Sequence, residues 1–295
     1  MRGRILRFGP VLLKCHGLTS DIIRLMKRLA VLFMALSVLL ACSCNELKSS
    51  QNFYGVFLSV EDDLDSLSSY KTVVIDAQNF RAGEIRKFRE KDHKVYSYIN
   101  IGSLEDFRDY YDEYKDLALG EYEHWDEEVW IDVSSVKWQE FIVGELMPSL
   151  VEKGIDGFFV DNCDVYYNYP TPEIMDGLTV MMSAMVDTGL DVIINGGDCY
   201  LDAYCDAGGE WSDVITGINQ ETVFSKINWD DESFDRADSE DHEYFCDYIK
   251  RYSKLGADIY LLEYTTDAKL IKDIDRYCVQ YGYYYYVSDS VELDG

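Results

Sequence analysis

Five apolar runs in this chain end the same way, on a carboxylate or an amide. They are Val74-Ile75-Asp76, Gly157-Phe158-Phe159-Val160-Asp161-Asn162-Cys163-Asp164, Ile193-Ile194-Asn195, Gly217-Ile218-Asn219-Gln220-Glu221 and Leu261-Leu262-Glu263-Tyr264. A short, continuous apolar run reads as a strand buried on both faces, as in a parallel sheet covered by helices. A carboxylate at the exit of such a strand costs free energy unless it is paired, hydrogen-bonded or at work. In a parallel α/β barrel the carboxyl ends of the strands are where chemistry sits. Five such endings predict a ring of polar groups around one mouth.

The rest of the pattern fits a single (β/α)8 barrel over residues 52–295, close to the usual size of about 250 residues. Apolar runs alternate with helical patterns. Strands are expected at 54–58, 72–76, 95–101, 157–161, 191–195, 214–221, 258–264 and 283–287. Helices are expected at 82–91, 138–153, 172–188, 241–255 and 268–281, with a short one near 64–70. Pro172 suits a first helical turn, and Gly256 stops a helix. Glu128 to Val133 also reads as a strand, but counting it in the barrel would give nine; it belongs in a long loop after strand three. The helix after strand eight is missing or truncated, since the sequence ends at Gly295.

The first 51 residues are expected to lie outside the barrel. Met26-Lys27-Arg28, the apolar run Leu29–Leu40 and the ending Leu39-Leu40-Ala41-Cys42 form a basic start, a short apolar core and a small exit residue. That is the pattern of an export signal, too short to span a bilayer. Its ending resembles a bacterial lipobox, which implies cleavage before Cys42 and lipid on its sulfur. Residues 1–25 then read as upstream sequence, 26–41 as the signal and 42–51 as a polar, lipidated tether. The expected location is the bacterial cell envelope, with membrane contact through the lipid alone.

The sequence has 27 basic and 55 acidic residues; seven and one of these fall in residues 1–41, which leaves 20 and 54, a net charge of about −34. Such a field repels nucleic acid and attracts cationic polymers. The cysteines show no CxxC spacing and the four histidines are scattered, so no metal or other cofactor is expected. Cys199–Cys205 is the nearest pair for a disulfide in an exported protein. Cys163 reads as a small buried thiol rather than a nucleophile. A monomer is expected.

Glycoside hydrolysis needs two carboxyl groups flanking the scissile bond, one to protonate the leaving oxygen and one to attack the sugar or activate water. Asp161 and Glu221 end strands four and six, two strands apart in the ring, where both reach one mouth. Further strings follow in order: Tyr98-Ile99-Asn100-Ile101-Gly102 with Glu105-Asp106-Phe107-Arg108; Trp130-Ile131-Asp132-Val133 with Trp138; Gly154 to Asp164; Asn195-Gly196-Gly197; Asn219-Gln220-Glu221; and Glu263-Tyr264. Together they resemble glycoside hydrolase family 114, the endo-α-1,4-polygalactosaminidase-like TIM barrels, over residues 53–287.

The resemblance implies an exported enzyme that cuts α-1,4-linked galactosamine-containing polysaccharide with retention at the anomeric carbon. By position Asp161 matches the family nucleophile and Glu221 the acid/base. Asp76, Asn100, Glu105, Asp132, Asp164, Tyr166, Asn195, Glu263 and Tyr264 fall where the family lines its pocket. One departure stands out: Ser103, in Gly102-Ser103-Leu104-Glu105-Asp106, replaces an acid that family members commonly carry. A pocket rich in carboxylates suits a deacetylated, cationic galactosamine polymer. Trp125, Trp130, Tyr166, Tyr167, Tyr169, Trp211 and Trp229 are candidate sugar platforms. Two other readings compete, since fold alone does not fix function: a non-catalytic glycan-binding lipoprotein on the same barrel, and an envelope protein that recruits a partner. The presence of both candidate catalytic acids opposes the first.

Overall fold

The computed structural model describes residues 52–295; the expectations for the signal, the tether and Cys42 lie outside them. Eight apolar runs form eight parallel strands: β1 (Tyr54–Phe57), β2 (Thr72–Ile75), β3 (Lys94–Asn100), β4 (Gly157–Asp161), β5 (Asp191–Asn195), β6 (Gly217–Glu221), β7 (Asp258–Tyr264) and β8 (Tyr284–Ser288). Each pairs with the next in chain order, and β8 returns beside β1, where Phe53 stacks on Tyr284 at 4.5 Å between ring centroids. Helices between the strands cover the outside, so the fold is a (β/α)8 barrel. Among the described residues nothing helical follows β8. No helix among the described residues is long and apolar enough to cross a membrane.

Successive side chains of a strand point to opposite faces, and the register sorts them here. Tyr98 pairs with Phe159, Asn100 with Asp161, Asn195 with Asn219, and Glu221 with Leu262. The amino-terminal half of the interior is filled by aromatic rings: Tyr54 against Tyr260 at 4.7 Å, Tyr260 against Tyr284 at 5.2 Å and Tyr96 against Tyr260 at 6.4 Å. This accounts for part of the chain's 24 tyrosines. Their bulk plugs the floor and confines the cavity to the mouth.

Glu128–Ile131 is a strand outside the barrel, as expected. It lies antiparallel to Ser103–Glu105 on one side and to Ala118–Glu121 on the other. This small sheet is part of the excursion between β3 and the helix at Val136–Phe141. Trp138, fully buried, ties that helix to the barrel by donating its indole N–H to the Ile101 carbonyl at 2.8 Å. Gly102 is required at the exit from β3: an added Cβ would lie 1.7 Å from the Asn162 carbonyl oxygen.

Besides the flanking strands of that small sheet, elements appear after β5 and β6 that the sequence pattern did not predict. Asp198–Asp206 is a helix after β5, and Ser225–Asn228 with Ser233–Arg236 is an antiparallel hairpin after β6. The helix also separates Cys199 from Cys205, which are free thiols. Six residues along a helix span about 9 Å, beyond the reach of a disulfide.

Candidate active site

The mouth opens as a cleft of about 760 Å³ whose lining includes Asp76, Glu105, Arg108, Glu128, Asp161, Asp164, Asn195, Glu221 and Tyr264. At its centre one amide bridges two carboxyl groups. Asn195 Nδ2 donates to Asp161 Oδ1 at 2.9 Å and to Glu221 Oε1 at 2.8 Å. Those two oxygens therefore lie no more than 5.7 Å apart, the sum of the two bonds. With the two N–H bonds of a planar amide diverging by about 120°, the spacing is about 5 Å.

A chain of buried hydrogen bonds fixes which way that amide faces. The Tyr54 hydroxyl donates to Asn219 Oδ1 at 3.0 Å, and Asn219 Nδ2 donates to Asn195 Oδ1 at 2.7 Å. Asn195 thus presents only N–H to the carboxyl groups; the opposite orientation would set its oxygen against theirs. The Tyr264 hydroxyl donates to the second oxygen of Glu221 at 2.8 Å.

Burial raises both acids. Asp161 is pushed up to about 6, chiefly by burial, with the Asn195 hydrogen bond opposing and Glu221 repulsion adding. Glu221 is also raised by burial, against the hydrogen bonds from Asn195 and Tyr264. Asp164 is pushed up to about 7 by burial and by the charges of Asp198 and Asp161, although the Gly197 N–H holds it. The Asn195-Gly196-Gly197 turn owes its glycines to this approach: both have positive φ, and a Cβ on Gly196 would meet Asp164 Oδ2 at 2.9 Å.

Not every predicted site residue faces the cleft as a free group. Asp76 and Glu105 do line it, but Arg108 is buried between them, 2.5 Å from each. The two share that one positive charge. Asn100 uses its amide on Ser103, accepting from the backbone N–H and donating to Oγ. Asp132 follows the extra strand and accepts from the Ser134 backbone N–H and hydroxyl, outside the cleft lining. Tyr166 packs toward Tyr200. Glu263 lies on the face of β7 opposite Tyr264, as alternation demands, and is fully buried. It accepts from the Phe224 and Ser225 backbone N–H groups and the Ser225 hydroxyl, holding the segment that follows Glu221.

Of the aromatic candidates, Trp125 and Trp229 line the cleft, 6.1 Å apart and edge to face. Trp130 is buried against Tyr122. Sequence reasoning did not single out Glu128, Tyr98, Tyr122, Arg108 or Asp198, all of which line the cleft. Alternation within Tyr96-Ser97-Tyr98-Ile99-Asn100 carried a signal for Tyr98; the others sit on excursions whose fold has no barrel repeat to read.

The model of glycoside-hydrolase family GH114 matches residues 40–294 of the chain. The chain belongs to that family. It is a glycosidase. Among solved structures it resembles the glycoside hydrolase domain of PelA from Pseudomonas aeruginosa, with 15% identity and a TM-score of 0.68, covering 82% of this chain and 96% of that one. It also resembles Ega3 from Aspergillus fumigatus, solved in complex with galactosamine, with 14% identity and a TM-score of 0.63, covering 85% and 95%. At these identities the likeness speaks for the fold. No curated protein matched the sequence.

Proposed function

We propose that this GH114 glycosidase cleaves α-1,4-linked galactosamine-containing polysaccharide with retention of anomeric configuration. The observation that carries the reading is the Asn195 bridge, which sets two carboxyl oxygens about 5 Å apart; retaining glycosidases hold theirs at about 5–5.5 Å, inverting ones at about 6.5–9.5 Å. The substrate class is supported by the family and by Ega3, whose solved complex holds galactosamine. The carboxylates of the cleft favour a cationic sugar.

In the first step an Asp161 oxygen attacks the anomeric carbon. The bond to the leaving oxygen breaks as Glu221 gives that oxygen its proton. In the second step water attacks the same carbon and Glu221 takes the water's proton. The bond to Asp161 breaks, and both acids return to their starting states. Asp161 must be ionised and Glu221 protonated at the start. Burial raises Glu221, which favours the proton it has to donate.

The test is turnover on deacetylated galactosamine oligomers by the wild type, Asp161→Asn and Glu221→Gln, with the anomeric configuration of the first product read by NMR. Each variant is expected to lose about 10²–10⁴-fold in kcat while still binding the oligomer. An inverted first product would overturn the retaining mechanism. A wild type that binds oligomers and never cuts them would favour a glycan-binding role. The sequence further supports export and anchoring through lipid on Cys42; Cys42→Ser should abolish lipid labelling in the host, and a soluble, unlabelled wild type would refute the anchor.

A further inference from the structure

A third carboxyl group stands beside the catalytic pair. Glu128 lies opposite Glu105 in the small antiparallel sheet. Its Oε2 accepts from Ser103 Oγ at 2.5 Å and faces Asn162 Nδ2 at 3.4 Å. Asn162 is the residue after Asp161, turned into the left-handed region at φ 64. Its Nδ2 also donates to Ser103 Oγ at 3.0 Å, and its Oδ1 accepts from the Tyr122 hydroxyl at 2.8 Å. Glu128 is therefore fixed one side chain away from the strand end that carries Asp161.

Every one of those donors is neutral. Among the described residues no lysine or arginine pairs with Glu128, whereas the neighbouring Glu105 and Asp76 share Arg108. Burial, with Glu105 and Asp161 repulsion behind it, pushes Glu128 up to about 7, opposed by the Ser103 hydrogen bond. The serine at 103 has a role in this: a carboxylate there would repel Glu128, and the hydroxyl instead holds it toward the cleft. The result is a partly open carboxyl group, positioned by neutral groups, with no counter-charge supplied by the described part of the protein.

We propose that Glu128 is a specificity-determining residue, which binds the protonated amino group of the sugar beside Asp161 and selects free galactosamine over its N-acetyl form. The inference rests on the galactosamine reading above. An ammonium group brings three N–H donors and the missing positive charge. An acetamido group brings one N–H, no charge and a carbonyl oxygen that a carboxylate repels.

The experiment compares the wild type with Glu128→Gln, which keeps the shape and removes the charge. Substrates are fully deacetylated α-1,4-galactosamine oligomers and their N-acetylated counterparts, near pH 7. For Glu128→Gln, kcat/KM on the deacetylated oligomers is expected to fall roughly 10- to 100-fold, mainly through KM, the worth of a hydrogen bond to a charged group. Activity on acetylated oligomers is expected to stay level or rise. Inhibition by free galactosamine should weaken while inhibition by galactose does not change. Equal losses on both substrates, or no loss on the deacetylated one, would overturn the role of Glu128 and leave the galactosamine reading standing. A wild type inert on both polymers would sink the two together.

Discussion

The direction of one amide decides whether the Asp161–Glu221 pair, proposed above as catalytic, is held or repelled. Asn195 faces Asp161 and Glu221 with N–H because Asn219, itself oriented by the Tyr54 hydroxyl, donates to its oxygen. Asn219→Leu removes the donor that sets this direction. It is expected to lower kcat about tenfold with little change in KM, the worth of one buried hydrogen bond; a raised KM with kcat intact would show that Asn219 serves binding instead. Glu263 acts at one remove, through the segment after Glu221. In Glu263→Gln the amide oxygen can replace only one carboxylate oxygen, and the N–H₂ at the other position would face the Phe224 backbone N–H in a fully buried place. Urea unfolding should show a loss of about 1–3 kcal/mol, as for a buried donor left unmatched. A stability equal to wild type would mean that the segment finds other partners. The rule that found Asp161, Asn195 and Glu221, a polar group where an apolar strand surfaces, also picked Glu263, and fails there because adjacent strand residues face opposite ways. Asp132 came from the family resemblance instead, and it lies outside the cleft lining because its strand is not in the barrel.

Elements that bury a continuous apolar run were legible, and those that do not were missed. The barrel strands came within a few residues of their positions because most carry an apolar run, β6 with Asn219-Gln220-Glu221 being the exception, and Ala268–Tyr281 shows its helical stripe in Leu270, Ile274 and Cys278. Asp198–Asp206 buries only Tyr200 and Leu201, so three carboxylates and a short apolar patch gave no period to read. The hairpin after β6 is mostly polar and held in part from outside, by Glu263 on Ser225. That hairpin carries Trp229 at its turn, edge to face with Trp125 in the cleft lining. Trp229→Ala is expected to raise KM for long oligomers by several-fold to about tenfold, the value of an aromatic contact, and to leave the shortest cleavable oligomer unaffected. A uniform effect at all lengths would place Trp229 against the cleaved sugar itself.

Across the whole molecule, the raised acids set a pH dependence of stability. Asp161 at about 6, and Glu128, Asp164 and Glu263 each at about 7, all sit above ordinary carboxylate values. Between about pH 4 and 7 the folded protein thus binds more protons than the unfolded one, and stability falls as pH rises through that window. The net charge of −28 adds self-repulsion in the same direction. The melting temperature is expected to be higher at pH 5 than at pH 8, and a melting temperature that climbs steadily from pH 5 to 8 would contradict this. Activity runs the other way at the acid end: with Asp161 as the proposed nucleophile, kcat/KM should fall below about pH 6 as it takes a proton. The bridge that spaces the reacting acids belongs to β1, β5 and β6, while Glu128 arrives on the excursion between β3 and β4. On the roles proposed for these residues, bond-breaking and choice of sugar are inherited on separate stretches of chain. A lineage that rewrites the segment around Glu128 and keeps Gly102 would then change its diet and keep its reaction, and grafting that segment between relatives would move a preference without rebuilding a catalyst.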